Sequence, residues 1–543
     1  MWPMPRSRAK AANRLAELQR RLAPPMPDDR LWGWLGPLLV TAFGAFLRFF
    51  RLQVPRAVVY DETYYAKDAW SILQHGVEWC TVASSNQLIL QGHTNIFAMC
   101  PYGGHGEYVI QPEVGKLLIA MGEAMFGLNS FGWRFSSAVF GSLAILLMCR
   151  TARRMFRSTV LGCIAGLLMA LDGLEFVLSR TGILDIFLMF FILAAFGCLV
   201  IDRDQSRARL AEEAARRAGG DAGPRFGLRK WQVACGIFLG LAVGTKWIAA
   251  WYIIGFACLF IAWEINARRI AELPRAVYGA LREAVWLPLT FIAIPLVVYV
   301  ATWSNWLLTS TGYDRNYAKL HGVNFPVISA LYSLFEYHVQ AVGSGFGIRL
   351  PEPYQSQPWD WLVITRPVGF YYESYSGPVA GASHFCPPAG CAGPAWSQEV
   401  LALGTPLIWW SSVLALMFCL GWWVWRRDWR AGAALCGVIT GWGPWFLLVS
   451  RTKYYYYALE FEPFLILSIV LCLGLILGPA EAGVRRRVIG AAVVGAYLLG
   501  VLIMFWYFYA ILAAEVLPYP DWLSHIWYRV SHGRYIQDGV GWF

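Results

Sequence analysis

Residues 183–201 read ILDIFLMFFILAAFGCLVI, and this stretch decides the class of the fold. Its one charged side chain, Asp185, lies near its start, and the other residues would be apolar on every side of a helix. Because an α-helix rises about 1.5 Å per residue, about 20 residues cross the hydrocarbon core of a bilayer. The stretch is therefore predicted to be a transmembrane helix.

Comparable apolar stretches recur along the chain. Of its 543 residues, 57% are hydrophobic and 15% are charged, whereas a soluble domain carries roughly 25% charged residues. The mean hydropathy is +0.46. The sequence predicts an all-α polytopic membrane protein with about 11 spans, at residues 32–50, 131–149, 159–178, 183–201, 231–246, 248–265, 284–304, 401–425, 431–449, 461–478 and 489–511.

The basic residues predict the orientation. With the N-terminus in the cytoplasm, 29 of the 45 Lys and Arg residues fall in the cytoplasmic segments, which are 1–30, 150–158, 202–230, 266–282, 426–430 and 479–488. Positive charge is enriched in the cytoplasmic loops of membrane proteins. An odd number of spans then leaves the C-terminus external. The net charge of +11 is not taken as a sign of nucleic-acid binding, because the charges lie between apolar stretches.

This topology divides the chain into two parts. Residues 1–30 form a basic cytoplasmic segment in which a helix is predicted at 8–22. Residues 31–543 form the transmembrane domain, and its long external loops, 51–130 and 305–400, are rich in Trp, Tyr, Pro and Gly. Residues 67–74 and 114–126 alternate polar and apolar side chains as helices lying at a membrane interface do.

The cysteines fit an outer face in an oxidising compartment. Four of the twelve, Cys80, Cys100, Cys386 and Cys391, lie in the external loops, and the other eight lie within or at the ends of spans. Cys80 with Cys100 and Cys386 with Cys391 are the natural disulfide pairs. Free thiols remain the alternative, and a zinc site is disfavoured because the spacings do not fit and no histidines cluster nearby.

Charged residues concentrate on the predicted outer side. Asp61 and Glu62 lie together just after the first span, and the others are Glu113, Lys116, Arg134, Asp172, Glu175, Arg180, Asp185, Lys246, Arg451 and Lys453. Taken singly, each could be a structural ion pair or a side chain that extends to the membrane surface. Their convergence on one side predicts an outward-facing polar cavity with a functional role.

The inventory of residues suggests a class of reaction. There is no phosphate-binding loop of the Walker type, no glycine fingerprint for dinucleotides and no Gly-x-Ser-x-Gly hydrolase motif. Cations at membrane level suit a lipid phosphate, and a carboxylate suits removal of a proton from a hydroxyl group. Together they indicate transfer of a group from a lipid phosphate to an alcohol.

Six motifs then resemble those of protein O-mannosyltransferases, in the same order along the chain. They are Tyr60-Asp61-Glu62-Thr63-Tyr64-Tyr65-Ala66-Lys67, Gln111-Pro112-Glu113-Val114-Gly115-Lys116-Leu117, Gly132-Trp133-Arg134, Ser179-Arg180-Thr181-Gly182-Ile183-Leu184-Asp185, Gly244-Thr245-Lys246-Trp247 and Tyr354-Gln355-Ser356-Gln357-Pro358-Trp359-Asp360-Trp361. The chain resembles the bacterial branch of this family from about residue 32 to its end.

The resemblance implies a glycosyltransferase of the GT-C architecture with its active site on the outer face of the bacterial plasma membrane. Such enzymes move mannose from polyprenyl phosphate mannose to Ser or Thr of secreted proteins. Two features depart from eukaryotic relatives. Gln111-Pro112-Glu113-Val114 replaces their His-Pro-Pro, and the 305–400 loop is too short for the β-trefoil domain that they insert.

The resemblance also implies roles for the residues. Asp61 is expected to be the general base, and Glu62 to orient acceptor or sugar or to fix a cation. The donor phosphate is expected to meet Arg134 first, with Arg180, Lys246 and Arg451 as further candidates. The remaining candidates for the substrate site are Glu113, Lys116, Asp185, Lys453, Trp359 and Trp361. No cofactor or metal is expected, and the expected partners are the lipid-linked donor, acceptor polypeptides, membrane lipids and the secretion channel, for which no residue gives evidence.

Two other functions stay open at this stage. A related GT-C enzyme could pass the sugar to a lipid or a cell-wall glycan, although Pro358-Trp359-Asp360-Trp361 favours a protein acceptor. A transporter or lipid flippase is a different class. The absence of internal repeats and the large outer loops weigh against it.

Overall fold

The computed structural model describes residues 6–216, 220–347, 352–375, 396–448, 451–479, 482–528 and 542, and helices dominate them. In the first half of the chain these are α1 (Arg6–Leu22), α2 (Trp32–Phe49), α3 (Glu62–His75), α4 (Ser85–Leu90), α5 (Val114–Phe126), α6 (Ser130–Phe156), α7 (Thr159–Ala170), α8 (Gly173–Leu178), α9 (Asp185–Ala215), α10 (Lys230–Val243) and α11 (Ala250–Ile270).

The second half adds α12 (Ala276–Ala284), α13 (Ile294–Thr302), α14 (Ser304–Leu308), α15 (Tyr317–Leu320), α16 (Pro326–Gly347), α17 (Pro406–Arg426), α18 (Trp429–Leu447), α19 (Glu462–Leu477), α20 (Val484–Leu512) and α21 (Tyr519–Ser524). A π-helical segment, Pro288–Ala293, precedes α13. Short 3-10 turns lie at Gly220–Ala222, Trp247–Ala249, Pro358–Val363 and Tyr455–Phe461. The strands are β1 (Val368–Tyr375), β2 (Trp396–Ala402) and β3 (Val516–Pro518).

The apolar stretch at 183–201 lies at the centre of the bundle. Residues 185–201 of this stretch form the first part of α9. Every residue from 183 to 200 is buried except Phe190, which is half-buried. A helix that is apolar all round can lie against protein or against lipid, and here α6, α10 and α11 cover it. Small residues allow close approach, since a Cβ at Gly197 of α9 would lie 3.1 Å from Oγ1 of Thr151 in α6.

All eleven predicted spans contain helix, and the described residues show a multi-pass membrane protein. By length and composition, seven helical stretches among the described residues can cross a bilayer, or eight if the pair Ala276–Ala284 and Pro288–Thr302, bent by 40°, is one span. Thr159–Ala170 and Lys230–Val243 are apolar but shorter. The figure of eleven spans and the side on which each terminus lies stay predictions.

The prediction of an all-α chain is wrong in one place. On the predicted outer side, β1, β2 and β3 form an antiparallel sheet in that order, with Tyr375 opposite Trp396 and Trp396 opposite Pro518. All seven residues of β2 are buried. A strand covered on both faces lacks the alternation of polar and apolar residues that marks a half-exposed strand, and part of β2 was assigned to the span at 401–425.

The predicted surface helices are confirmed as helices. Residues 8–22 lie within α1, 67–74 lie within α3, and 114–126 coincide with α5. Leu18 and Leu22 of α1 pack against Leu210 and Ala214 of α9 in a small separate core. In α3 and α5 one face is buried rather than exposed, and the two helices pack on each other. This contact holds the first external loop over the bundle.

Candidate active site

The turn before α3 presents the acidic pair. Tyr60 has a φ of 46°, a left-handed conformation that is uncommon for a residue with a side chain. Its ring stacks on Phe370 of β1 with centroids 4.6 Å apart, and it meets Tyr456 edge-on at 5.7 Å. Because the ring is held on both sides, the backbone turns sharply and α3 begins at Glu62 with Asp61 immediately before it.

Glu62 is fully buried and bound on both oxygens. Its Oε1 accepts hydrogen bonds from Arg134 Nε at 2.7 Å and from the Gly182 amide at 2.9 Å. Its Oε2 accepts from Arg134 Nη2 at 2.9 Å and from the Val59 amide at 3.0 Å. All strong acceptor positions of the Glu62 carboxylate are used. Glu62 therefore links α3 to α6 and to the turn before α9.

Arg134 was the first candidate to bind the donor phosphate, but its hydrogen-bond donors contact other groups. Besides the Glu62 pair, its Nη1 donates to the carbonyls of Leu52 at 3.3 Å and Pro55 at 2.9 Å, and its Nη2 donates to that of Ala57 at 3.0 Å. The side chain is 1% exposed. Five donors meet five acceptors, so this arrangement leaves none for a phosphate.

Arg180 is engaged in the same way. Its Nη1 donates to the carbonyls of Leu47, Arg48 and Phe50, and its Nη2 donates to that of Arg51. These are the last carbonyls of α2 and the residues that follow it, which have no partner within the helix. The cation therefore caps the C-terminus of α2 and does not line the cavity described next.

Asp61 has a different environment from its neighbour. It is half-buried, and one oxygen accepts a hydrogen bond from the Tyr456 hydroxyl at 3.3 Å. Burial raises the pKa of Asp61 to about 6, since Lys246 lowers it by less and Asp185 adds repulsion. A carboxylate with a pKa near neutrality is ionised at pH 7 and still accepts a proton well.

A cavity of about 250 Å³ lies beside the Lys246–Asp185 pair, whose charges act on Asp61, and Asp61 itself is not one of the residues that line it. Lys246, from the turn between α10 and α11, donates to Asp185 at 2.7 Å and lies 5.2 Å from the ring centre of Tyr457. Polar and apolar residues both line the cavity, and they include Gln111, Asp185, Leu188, Lys246, Trp247, Trp251, Val342, Trp445, Leu447, Arg451, Tyr457 and Glu460.

Arg451 is the cation of this cavity that has the fewest partners among the described residues. Its guanidinium lies 5.7 Å from the ring centre of Trp445. Within the described ranges no carboxylate lies within 4 Å of it, and its buried Nε has no hydrogen-bond partner there. Glu460, on the same cavity wall, has one oxygen bound by Trp445 Nε1 at 2.7 Å and the other without a partner among these residues.

Glu113 and Lys116 lie in a buried cluster behind the cavity wall. Lys116 pairs with Glu78 and lies 3.6 Å from Glu113, which also accepts from Asn305 at 3.3 Å. Burial, followed by repulsion from Glu78, raises the pKa of Glu113 to about 8. The amide of Val114 donates to the carbonyl of Gly244 at 2.9 Å, so the cluster supports the turn that carries Lys246.

The three remaining candidates lie at the rim or in the core. Lys453 is buried and donates to the Leu448 carbonyl at 2.6 Å. Trp361 is fully buried, with its Nε1 donating to Ser356 at 2.9 Å. Trp359 is 60% exposed and meets Phe446. None of the three lines the cavity.

Cys80 and Cys100 form a disulfide in the first external loop. The predicted pair Cys386 and Cys391 lies outside the described residues, and its pairing stays a prediction. The eight cysteines assigned to spans or their ends are free thiols.

Several site residues were missed by the sequence analysis. Tyr456, Tyr457, Trp445, Glu460 and Glu78 contact the charged groups listed above. The run Tyr454-Tyr455-Tyr456-Tyr457 directly after Arg451 and Lys453 was the available signal. Aromatic side chains are common at membrane interfaces, so the run alone did not indicate a catalytic contact.

Comparison with known proteins agrees with these motifs. A family model described as dolichyl-phosphate-mannose-protein mannosyltransferase matches residues 38–307, and one described as the C-terminal four TMM region of protein-O-mannosyltransferase matches residues 330–529. The chain is 36% identical over 517 residues to the polyprenol-phosphate-mannose–protein mannosyltransferase of Mycobacterium tuberculosis, covering 92% of each chain. It is 35% identical over 520 residues to that of Mycolicibacterium smegmatis, covering 92% and 93%.

A solved structure shares the fold across the whole length. It is the protein O-mannosyltransferase Pmt1-Pmt2 complex of S. cerevisiae bound to the sugar donor, with a TM-score of 0.67 at 14% identity over 97% of this chain and 96% of that chain. The resemblance drawn from the six motifs is confirmed. The chain belongs to the protein O-mannosyltransferase family.

Proposed function

We propose that this chain transfers mannose from a polyprenyl phosphate mannose to hydroxyl groups of Ser and Thr in polypeptides. The family and the names of the relatives support the donor and the kind of acceptor. The observation that carries the proposal is the position of Asp61, a half-buried carboxylate next to the Lys246–Asp185 pair and beside a cavity that contains Arg451.

The proposed reaction is a single displacement. The acceptor hydroxyl oxygen attacks C1 of mannose while Asp61 takes its proton, and the bond from C1 to the phosphate oxygen breaks. The polyprenyl phosphate leaves with that electron pair as an anion, so no general acid is needed. One displacement inverts the configuration at C1, and no cofactor or metal enters the reaction.

The leaving phosphate requires positive charge. Arg451 supports this role best because no described carboxylate neutralises it, and Lys246 is second because Asp185 shares its charge. Arg134 and Arg180 we assign to positioning, since their donors are used by Glu62 and by backbone carbonyls. Leu188, Trp251, Val342 and Leu447 form an apolar wall that suits the start of the prenyl chain.

The proposed setting is the bacterial plasma membrane, with a GT-C architecture of about 11 spans. Residues 1–30 lie in the cytoplasm, 31–543 form the transmembrane domain, and the external loops and the active site face outwards. Acceptors that leave the secretion channel unfolded would meet the site there. The distribution of Lys and Arg supports this orientation.

Two variants test the proposal in membranes supplied with lipid-linked mannose and an acceptor peptide. Asp61→Asn removes the base, and we expect kcat to fall by about 10²- to 10⁴-fold with donor binding retained. Arg451→Gln removes a charged hydrogen-bond donor, and we expect the KM for the donor to rise by about 10- to 100-fold. Radiolabelled mannose that becomes bound to peptide is the readout.

Lys319→Gln is the matched control for Arg451→Gln, because Lys319 is an exposed cation of the second external loop that does not line the cavity. Wild-type turnover in Asp61→Asn would exclude Asp61 as the base. Equal donor KM values for Arg451→Gln and Lys319→Gln would exclude Arg451 from the phosphate site.

A further inference from the structure

The predicted cytoplasmic end of α20 borders two grooves that the reaction does not use. In the most apolar stretch of α20, 22% of the residues are buried, compared with 89% in the corresponding stretch of α9. On one side, a groove of about 870 Å³ lies between α17, α19 and α20, with Phe418, Cys472, Ile489 and Val493 in its walls. On the other, a groove of about 1020 Å³ lies between α7, α19 and α20, with Leu161, Leu471 and Val488 in its walls.

The two grooves meet at Arg486 and Leu475, which line both of them. α19 and α20 touch between the grooves, where a Cβ at Gly490 would lie 2.5 Å from the carbonyl oxygen of Ile476. The site therefore has two apolar arms that diverge from one cationic point.

The charge at this point is strongly positive. Arg485, Arg486 and Arg487 are exposed, and among the described residues no carboxylate lies within 4 Å of any of them. Glu481 is the one acidic residue in the sequence of this turn, 478–488. The second groove adds Arg157, whose partner Asp204 is shared with Arg154 and Arg203. It also adds Arg430, which pairs with Asp428.

We propose that this pair of grooves binds an anionic diacyl phospholipid. The headgroup phosphate would lie against Arg486 and its two neighbours, because guanidinium groups bind phosphate oxygens through paired hydrogen bonds. One acyl chain would occupy each groove. Basic pockets between helices on the cytoplasmic side are a recurrent form of lipid headgroup site, and the placement in the inner leaflet rests on the proposed orientation.

General enrichment of positive charge in cytoplasmic loops would place arginines here without a site. It does not require the arginines to lie at the junction of two apolar grooves. Arg426 and Arg427 show the contrast, since they lie at the end of α17, stack on Trp425 and Trp423, and line neither groove.

The test uses the full chain in bicelles of phosphatidylcholine with or without phosphatidylglycerol. Native mass spectrometry counts retained lipids, and thermal unfolding measures the shift that phosphatidylglycerol causes. We expect wild type and the double variant Arg426→Gln/Arg427→Gln to retain one phosphatidylglycerol in preference to phosphatidylcholine and to gain stability from it. In Arg485→Gln/Arg486→Gln/Arg487→Gln we expect affinity to fall by roughly 100-fold, at about fivefold for each arginine.

A second variant tests the grooves without changing charge. Ala491 is exposed and lines the larger groove, so Ala491→Phe would occupy space intended for an acyl chain. We expect it to retain less phosphatidylglycerol than wild type. Wild-type retention in either the triple-glutamine variant or Ala491→Phe would overturn the proposal, as would equal loss in Arg426→Gln/Arg427→Gln. Mannosyl transfer is not a readout, so failure of the proposed function would leave this result unaffected.

Discussion

Glu62 accepts four hydrogen bonds, two of them from Arg134, whereas the side chain of its neighbour Asp61 accepts one among the described residues. Two adjacent carboxylates thus have separate tasks because their surroundings differ. A carboxylate whose acceptors are all used is fixed in place, whereas a half-buried carboxylate with one hydrogen bond and a raised pKa can exchange a proton. The base assignment to Asp61 rests on this difference.

The raised pKa of Asp61 predicts the pH dependence of transfer. Only the ionised carboxylate accepts a proton, and burial places its pKa at about 6. As the pH falls through 6, the protonated fraction grows, so kcat/KM for the acceptor should drop by about tenfold for each pH unit below 6. A pH–rate profile between pH 5 and 8 at saturating donor measures this.

The residual activity of Asp61→Asn is the control for that profile, because it lacks the titrating group. Its profile should be flat across the same range. A wild-type profile that stays flat down to pH 5 would mean that Asp61 has the pKa of a solvated carboxylate, and the assignment would lose its electrostatic basis.

At the scale of elements, one ion pair joins four segments. Arg134 of α6 contacts Glu62 of α3 and the carbonyls of Leu52, Pro55 and Ala57 in the loop after α2, while Glu62 also binds the turn before α9. Neither side chain is more than 1% exposed. The acidic turn is therefore held in place by contacts far apart in the sequence.

Replacing Arg134 alone should destabilise the fold more than replacing both Arg134 and Glu62. Arg134→Gln leaves Glu62 buried beside a neutral partner, and breaking a buried ion pair in this way costs about 3–5 kcal/mol. We expect the apparent melting temperature of the purified protein in detergent to fall clearly. The double variant Glu62→Gln/Arg134→Gln should fall by less than the sum of the two single variants, since no buried charge remains.

A strictly additive double variant would contradict this account of the pair. Lys319→Gln supplies the baseline for an exposed cation, and it should leave the melting temperature unchanged.

The three-stranded sheet contacts the turn that carries Asp61 and Glu62. β1 supplies Phe370, which stacks on Tyr60, and Phe370 also meets Tyr456 at 5.5 Å. The loop 305–400 thereby contacts the turn of the loop 51–130 that carries Asp61 and Glu62. Pairing of β2 with β3 joins the segment that follows α20 to the same surface.

At the scale of the molecule, three turns meet at one face. The segments 150–158, 426–430 and 479–488 supply Arg157, Arg430 and Arg486 to a common groove, and all three segments were assigned to the cytoplasm from their charge. The cavity beside Asp61 contains residues from the segments assigned to the outside, such as Gln111. The sidedness inferred from the sequence is therefore consistent within the fold.

Single cysteines should report that sidedness directly. His93 is exposed in the first external loop, and Glu17 of α1 is 61% exposed. A membrane-impermeant maleimide applied to intact cells should label His93→Cys and should label Glu17→Cys only after the membrane is opened. The unsubstituted chain corrects for labelling of its own cysteines, eight of which are free thiols among the described residues, and the reverse labelling pattern would refute the proposed orientation.

The sequence by itself determined the helical multi-pass membrane class, the family and the position of the acidic pair. A span is readable locally, because backbone groups in lipid must be satisfied within the helix and about 20 apolar residues in a row suffice to specify it. The helix at 183–201 was therefore predictable without any knowledge of its neighbours. The sheet was missed because strand pairing joins residues as distant as Trp396 and Pro518.

Only the tertiary structure decided which arginines have their hydrogen-bond donors occupied by other parts of the chain. In the sequence, Arg134, Arg180 and Arg451 were all candidates for the donor phosphate, with Arg134 placed first. In the fold, carboxylate and carbonyl oxygens from remote segments use the donors of Arg134 and Arg180, whereas Arg451 lies in the cavity. The partners of a charge are set by long-range packing, which a linear pattern of residues does not record.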